Sequence, residues 1–186
     1  GDSRKSGFSA ARPSVTVPRR GDPPRRPDPL PLLAGAVDTL DPTPIATYRV
    51  RVAPSWIDYN GHMNEGYYAV AFGDATDAYL IHAGFDDAYR LAVGGTFYTV
   101  ETHIRYLNEL KLHDPLLFRT TVLGVDDKKL HVFHSMVHET NGYEAATQEA
   151  FLLHVDMDSV KVSAMRADLL KSIAADRDNH AELWPE

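Results

Sequence analysis

A chain of 186 residues has room for one domain with a real hydrophobic core, and 44% hydrophobic with 24% charged residues is an ordinary globular composition. A net charge of −7 argues against non-specific nucleic-acid binding, which needs a basic surface to displace phosphate counterions. The lack of cysteine excludes disulfides, thiolate metal sites and a cysteine nucleophile, and no apolar run reaches the roughly 18–20 residues of a membrane span.

Residues 1–46 differ from the rest. They hold nine of the twelve prolines, with arginine pairs at Arg19-Arg20 and Arg25-Arg26, and read as a linker or tail whose one apolar patch is Leu30 to Val37. The first residue is not Met, which suggests a processed, tagged or partial chain, and no secretory signal opens it, so the expected location is the cytoplasm.

The folded part is expected over 47–175, followed by a tail, 176–186. Tyr48 to Val52 alternates as a half-buried strand. Trp56-Ile57-Asp58-Tyr59-Asn60-Gly61-His62-Met63-Asn64-Glu65-Gly66 then leads into a long helix, Gly66 to Ala83. Asn64 is placed to cap that helix and Gly84 to end it. Its apolar stripe is expected at Ala69, Phe72, Thr76, Tyr79, Leu80 and Ala83, with Asp74 and Asp77 beside it. A short helix follows from Asp86 to Ala92.

Strands are expected at Thr96 to Tyr106, Leu116 to Val125, Leu130 to Glu139 and Tyr143 to Val155. In the first, Phe97, Thr99, Glu101, His103 and Arg105 would share one face, and Tyr98, Val100, Thr102, Ile104 and Tyr106 the other. Asn141-Gly142 predicts a type I′ turn, and a closing helix is expected from about Ala164 to Ala174. The order is strand, long helix, then four antiparallel strands as a meander, an α+β arrangement with one helix buried against one curved sheet.

Asp58, Asn60 and His62 place a carboxylate, an amide and an imidazole where a strand hands over to a helix N-terminus. The unpaired N–H groups there can hold an oxyanion or polarise a carbonyl. Glu101 is a carboxylate in the middle of a β-rich run, with either a functional role or a salt bridge to Arg105 or Arg119. His131, His134, His138 and His154 show no chelating pattern and read as sheet-surface residues, so no metal is expected.

The element order, with Asp58-Tyr59-Asn60-Gly61-His62-Met63-Asn64 ahead of the long helix, resembles the hotdog-fold acyl-CoA thioesterases and their D-x-N-x-H-(V/M)-N motif. The resemblance covers roughly residues 47–175. It is tightest with the thioesterase domain fused behind, or encoded beside, L-carnitine dehydrogenases, through Trp56 to Tyr68, Phe72-Gly73-Asp74-Ala75, Gly94 to Leu107, Leu130 to His134 and Leu152 to Asp156.

The resemblance implies a long central helix wrapped by a curved antiparallel sheet of about five strands, and hydrolysis of a short polar acyl-CoA such as betainyl-CoA without a cofactor. Asp58 matches the family carboxylate, as nucleophile or as general base toward water; an Asx-turn is its plainer reading. Asn60 would orient water or the carbonyl, or else serve the turn. His62 would shuttle a proton to the CoA thiolate or orient Asp58, unless it is structural. Glu101 is the candidate second acid.

Asn64 and Gly66 would bring substrate close to backbone donors. Trp56, Tyr59, Tyr67, Tyr68, Phe97, Tyr98 and Tyr106 supply aromatic faces for a quaternary ammonium group, and two or three of them should line a pocket. Arg105, Lys111, Lys128 and Lys129 are the cations available to CoA phosphates. The rival reading is a non-catalytic module binding an acyl-CoA or a quaternary ammonium ligand. The exposed sheet edge predicts a homodimer or a dimer of dimers, and the fused relatives suggest a carnitine dehydrogenase as a partner. No nucleic-acid or membrane partner is expected.

Overall fold

The computed structural model describes residues 44–183, so most of the linker segment and the last three residues lie outside the described residues. The elements are β1 (Ile45–Arg51), α1 (Glu65–Ala83), α2 (Asp87–Val93), β2 (Gly95–Tyr106), β3 (Pro115–Val125), β4 (Lys129–His138), β5 (Glu144–Asp156), β6 (Lys161–Val162) and α3 (Ala167–Asn179). An antiparallel sheet of order β1-β3-β4-β5-β2, with β6 added to β5, packs against α1, giving the hotdog arrangement.

The α1 helix starts where the Asn64 side chain accepts the Gly66 N–H at 3.0 Å, and it ends at Gly84, whose φ of 107° suits a residue without a Cβ. Its buried face carries Tyr68, Ala71, Phe72, Ala75, Thr76, Tyr79, Leu80 and Ala83. The alanines let the aromatic rings close on the sheet, where Phe72 meets Phe118 edge-on at 5.6 Å. Each large apolar side chain sealed this way is worth about 1.5–3 kcal/mol.

The stripe is rotated from its expected position: Ala69 is exposed, while Asp74 is buried and accepts the Tyr48 hydroxyl at 3.4 Å. The strands after α1 do not form a simple meander either. β3, β4 and β5 do, but β2 lies on the far side of β5, and residues 107–114 carry the chain past the ends of β5 and β4 to β3.

A bulge at Val100, between the pairs Thr99–Leu152 and Glu101–Phe151, also breaks the alternation of β2. Phe97 before it and Ile104 and Tyr106 after it therefore all reach the core or α1, although strict alternation puts them on opposite faces.

The boundaries move as well. β1 begins at Ile45, inside the expected linker, because Ile45 pairs with Thr120. α3 runs to Asn179, past the start of the expected tail, because Asp176 accepts the Tyr79 hydroxyl at 3.0 Å and the buried His180 accepts the Val122 N–H at 3.0 Å. The β4–β5 connection is a five-residue loop, 139–143, rather than a type I′ turn. Only Gly142 has positive φ (74°), and its N–H reaches back to the His138 carbonyl at 2.8 Å.

Of His131, His134, His138 and His154, read as surface residues, only His131 is partly exposed, and it pairs with Glu149 at 2.7 Å. His134 and His154 are fully buried and His138 nearly so. His134 shares its parity in β4 with Leu130, Val132 and Met136, so its ring points under α1. There Thr120 Oγ1 lies 3.0 Å from Nδ1, and Thr76 Oγ1 lies 3.0 Å from Nε2.

Candidate active site

The motif segment is a small hairpin set into the helix entry. Ile57 and Met63 pair as an antiparallel bridge, the Asp58 N–H donates to the His62 carbonyl at 3.0 Å, and the Gly61 N–H donates to the Asp58 carbonyl at 3.0 Å. Gly61 has φ 81°, the left-handed conformation that closes a three-residue hairpin loop. One Asp58 carboxylate oxygen, Oδ1, accepts the Asn60 N–H at 2.8 Å. That is an Asx-turn, and it fixes the carboxylate while leaving Oδ2 without a hydrogen bond among the described residues. Tyr59, at the tip, is 96% exposed.

The facing wall is the segment after β2. Leu107 and Asn108 donate their N–H groups to the Ala145 carbonyl at 2.9 and 3.0 Å, and the Asn108 side chain donates to the Glu144 carbonyl at 2.8 Å. The Leu110 carbonyl accepts the Met63 N–H at 2.8 Å, tying this wall to the hairpin. Between the walls lies a cleft of about 740 Å³ lined by Asp58, Asn60, His62, Met63, Glu65, Tyr68, Tyr106, Leu107, Asn108 and Glu109. It has three carboxylates and neither lysine nor arginine in its lining.

Across the cleft, His62 Nε2 lies 3.1 Å from Glu109 Oε2. Tyr68 and Tyr106 meet edge-on, with centroids 5.2 Å apart. Burial, with Tyr143 and Glu109 adding to it, pushes the Tyr68 phenol up to about 12, so at neutral pH it is a protonated donor.

The thioesterase-like superfamily matches residues 52–173, which include both walls of the cleft. The chain belongs to the thioesterase-like superfamily. It is 45% identical over 130 residues to the L-carnitine dehydrogenase/betainyl-CoA thioesterase of Agrobacterium fabrum, an alignment covering 70% of this chain and 26% of that protein. It is 35% identical over 139 residues to the betainyl-CoA thioesterase of Pseudomonas aeruginosa, covering 75% of this chain and 87% of that one. The chain thus spans about a quarter of the fused relative and most of the free-standing one. A Staphylococcus aureus protein of 25% identity, solved in complex with CoA, superposes with a TM-score of 0.71 over 77% of this chain and 92% of that one.

In this thioesterase-like domain Asp58, Asn60 and His62 come together in one cleft, and Tyr68 joins them. Trp56 and Tyr67 stack on each other at 5.8 Å in and against the core, so they support the hairpin without lining the cleft. Phe97 packs against Phe85 and His154 at the other end of β2, and Tyr98 is half-exposed on the same strand; neither lines the cleft. Glu101 is exposed opposite Phe151, outside the cleft, and makes no ion pair with Arg105 or Arg119 among the described residues.

The expected backbone donors are mostly in use. The Asn64 N–H goes to the Trp56 carbonyl at 2.8 Å and the Gly66 N–H to the Asn64 side chain, which leaves the Glu65 N–H without a partner among the described residues. The cap favours glycine at 66, since a Cβ there would sit 3.3 Å from Asn64 Oδ1.

Met63, Glu65, Leu107, Asn108 and Glu109 are the cleft residues to which the sequence reading gave no role in the site. Met63 and Glu65 lie inside the motif run itself. The other three sit after a strand, far from the motif along the chain, and only the crossing connection brings them to it.

Proposed function

We propose that this protein hydrolyses the thioester of a short acyl-CoA bearing a positive charge, betainyl-CoA, to the free acid and CoA. The observation that carries the substrate class is the cleft lining: Asp58, Glu65 and Glu109 with the Tyr68–Tyr106 ring pair and no cation. A trimethylammonium group cannot donate hydrogen bonds. It is held by aromatic faces and by nearby negative charge, and both are present. The relatives named for betainyl-CoA support the same choice.

In this reading the Asx-fixed Asp58 carboxylate delivers oxygen to the acyl carbon, by attack or by deprotonating water. The Glu65 N–H at the α1 N-terminus is the donor for the oxyanion, the Tyr68 hydroxyl being given to the Asn108 carbonyl at 3.5 Å, and His62 returns a proton to the departing sulfur. The 12-residue β2 leaves one ladder edge open, with Tyr98 and Val100 exposed along it. A second copy of this chain pairing there would cover the edge. A carnitine dehydrogenase, carried in the same chain by the fused relatives, is the protein partner this reading suggests.

The test is thiol release from betainyl-CoA, acetyl-CoA, a medium-chain acyl-CoA and an aromatic acyl-CoA, for wild type and Tyr106→Leu. Betainyl-CoA should give the highest kcat/KM. The variant should lose about fivefold on it, as expected for one cation–π face, and less than twofold on acetyl-CoA. A preference for another ester would keep the hydrolase and discard the cationic substrate. Ligand binding without thiol release from any ester would favour the non-catalytic module.

A further inference from the structure

We propose that Glu109 is the positioning residue for His62, holding its Nε2–H so that Nδ1 is the nitrogen that passes a proton to the leaving thiolate. The proposal rests on the hydrolase reading above and adds a residue to it. Its geometric basis is the 3.1 Å contact between His62 Nε2 and Glu109 Oε2 inside the cleft that also holds Asp58.

An exposed ion pair alone would mean little, because two mobile side chains often meet without consequence. Here both backbones are fixed. The Glu109 carbonyl accepts the Tyr143 hydroxyl at 3.4 Å, and its neighbours' carbonyls accept the Tyr68 hydroxyl (Asn108, 3.5 Å) and the Met63 N–H (Leu110, 2.8 Å). On the other wall, the His62 carbonyl accepts the Asp58 N–H and Met63 bridges to Ile57. The carboxylate is therefore carried on a braced segment and aimed at one ring nitrogen, the arrangement by which a second group fixes a catalytic imidazole's proton.

With Nε2 engaged, the step balances at Nδ1. On the general-base course Asp58 takes a proton from water as the hydroxyl bonds to the acyl carbon, and hands it on to His62 Nδ1, which becomes the imidazolium. When the C–S bond breaks, the electron pair leaves with sulfur, and the imidazolium Nδ1–H gives its proton to that thiolate. The ring returns to neutral with Nε2–H still on Glu109.

The test compares Glu109→Ala and Glu109→Gln with wild type on betainyl-CoA and on a betainyl ester of an aryl thiol that leaves as a stable anion. Glu109→Ala should lower kcat on the CoA ester about tenfold or more, and it should raise KM alike on both esters because it also removes one of the cleft's negative charges. On the aryl thioester, which needs no proton at sulfur, kcat should change less than about twofold. Glu109→Gln keeps an acceptor but loses the charge. It should recover part of the rate on the CoA ester, as a positioning role requires.

An equal loss on both esters, or no loss on either, would overturn the positioning role while Asp58-dependent hydrolysis stands. Absence of thiol release by the wild type would overturn the hydrolase reading itself, and this assignment with it. A thermal unfolding midpoint close to wild type would show that the variants are folded.

Discussion

His62 and His134 are the same side chain in opposite settings. His134 is sealed under α1 with hydroxyls on both nitrogens. Thr76 donates its own hydroxyl to the Phe72 carbonyl at 2.9 Å, so it accepts from His134 Nε2–H, and Nδ1 then accepts from Thr120, which in turn accepts from Thr47 at 3.0 Å. The chain of donors runs one way from β1 through β3 and β4 into α1, and burial pushes the imidazole down to about 3, which keeps it neutral. His62 sits in an open cleft, 32% exposed, with a carboxylate on Nε2 and Asp58 nearby in the same lining. Partner and solvent decide the role. Neutral hydroxyls in a dry core make a crosstie, and a carboxylate at an open cleft is the setting that the proposed proton transfer requires.

The sharpest way to test the contrast is at Asp58. Asp58→Ala should cut kcat by about a thousandfold or more. It should lower stability by no more than about 1 kcal/mol, since it removes one half-exposed hydrogen bond to the Asn60 N–H. Steady-state kinetics beside urea unfolding would show it. Hydrolysis near wild type would remove the cleft from the mechanism.

His134→Leu should do the reverse. It leaves the Thr76 and Thr120 hydroxyls without the ring between them in a dry core, which should cost about 2–4 kcal/mol, while kcat per folded molecule holds within about twofold. The same residue sets a pH dependence. Its folded value lies near 3 and its ordinary value is 6.5, so between those limits the unfolded chain binds a proton that the native one does not. The His134 contribution is complete above about 6.5 and falls as the pH drops toward 3, by up to about 1.4 kcal/mol per unit. His154, also pushed down by burial, acts in the same direction. Urea unfolding at pH 7.5 and 5.0 should show a flatter dependence in His134→Leu than in wild type. An unchanged slope would mean that other groups control acid stability.

The two settings were not equally legible. The motif wall could be read because its geometry is local: Asp58 accepts from two residues ahead, Gly61 supplies the left-handed turn, and Asn64 caps the next helix. The opposite wall could not, because Glu109 reaches His62 only after β2 has run along the far edge of the sheet. Glu101 and Phe97 looked equally available until the Val100 bulge and the pairing with β5 placed them outside the cleft. His134 carried a signal that was not used: it alternates in step with Leu130, Val132 and Met136, and that parity marks the buried face. Only the tertiary placement of Thr76 and Thr120 shows how such a polar ring is satisfied there.

A third histidine extends the comparison at lower cost. His154 is buried at the other end of β2, where Nδ1 donates to the Ser163 carbonyl at 3.0 Å and Nε2 meets the Tyr89 hydroxyl at 3.3 Å. That hydroxyl also accepts the Arg166 N–H at 2.9 Å, so the ring ties β5 to α2 and to the start of α3. Gly95 is what lets it fit, because a Cβ there would stand 2.5 Å from Nε2 and 2.6 Å from Cε1. The ring cannot step aside without breaking both bonds, so Gly95→Ala should cost about 1–3 kcal/mol in urea unfolding. Gly95 and Tyr106 are the two ends of a 12-residue strand, about 35 Å apart, so kcat should stay within about twofold. A variant of wild-type stability would show that this end of the fold yields more readily than its hydrogen bonds imply. A stable variant with impaired turnover would couple His154 to the cleft and undo the division between buried and open imidazoles.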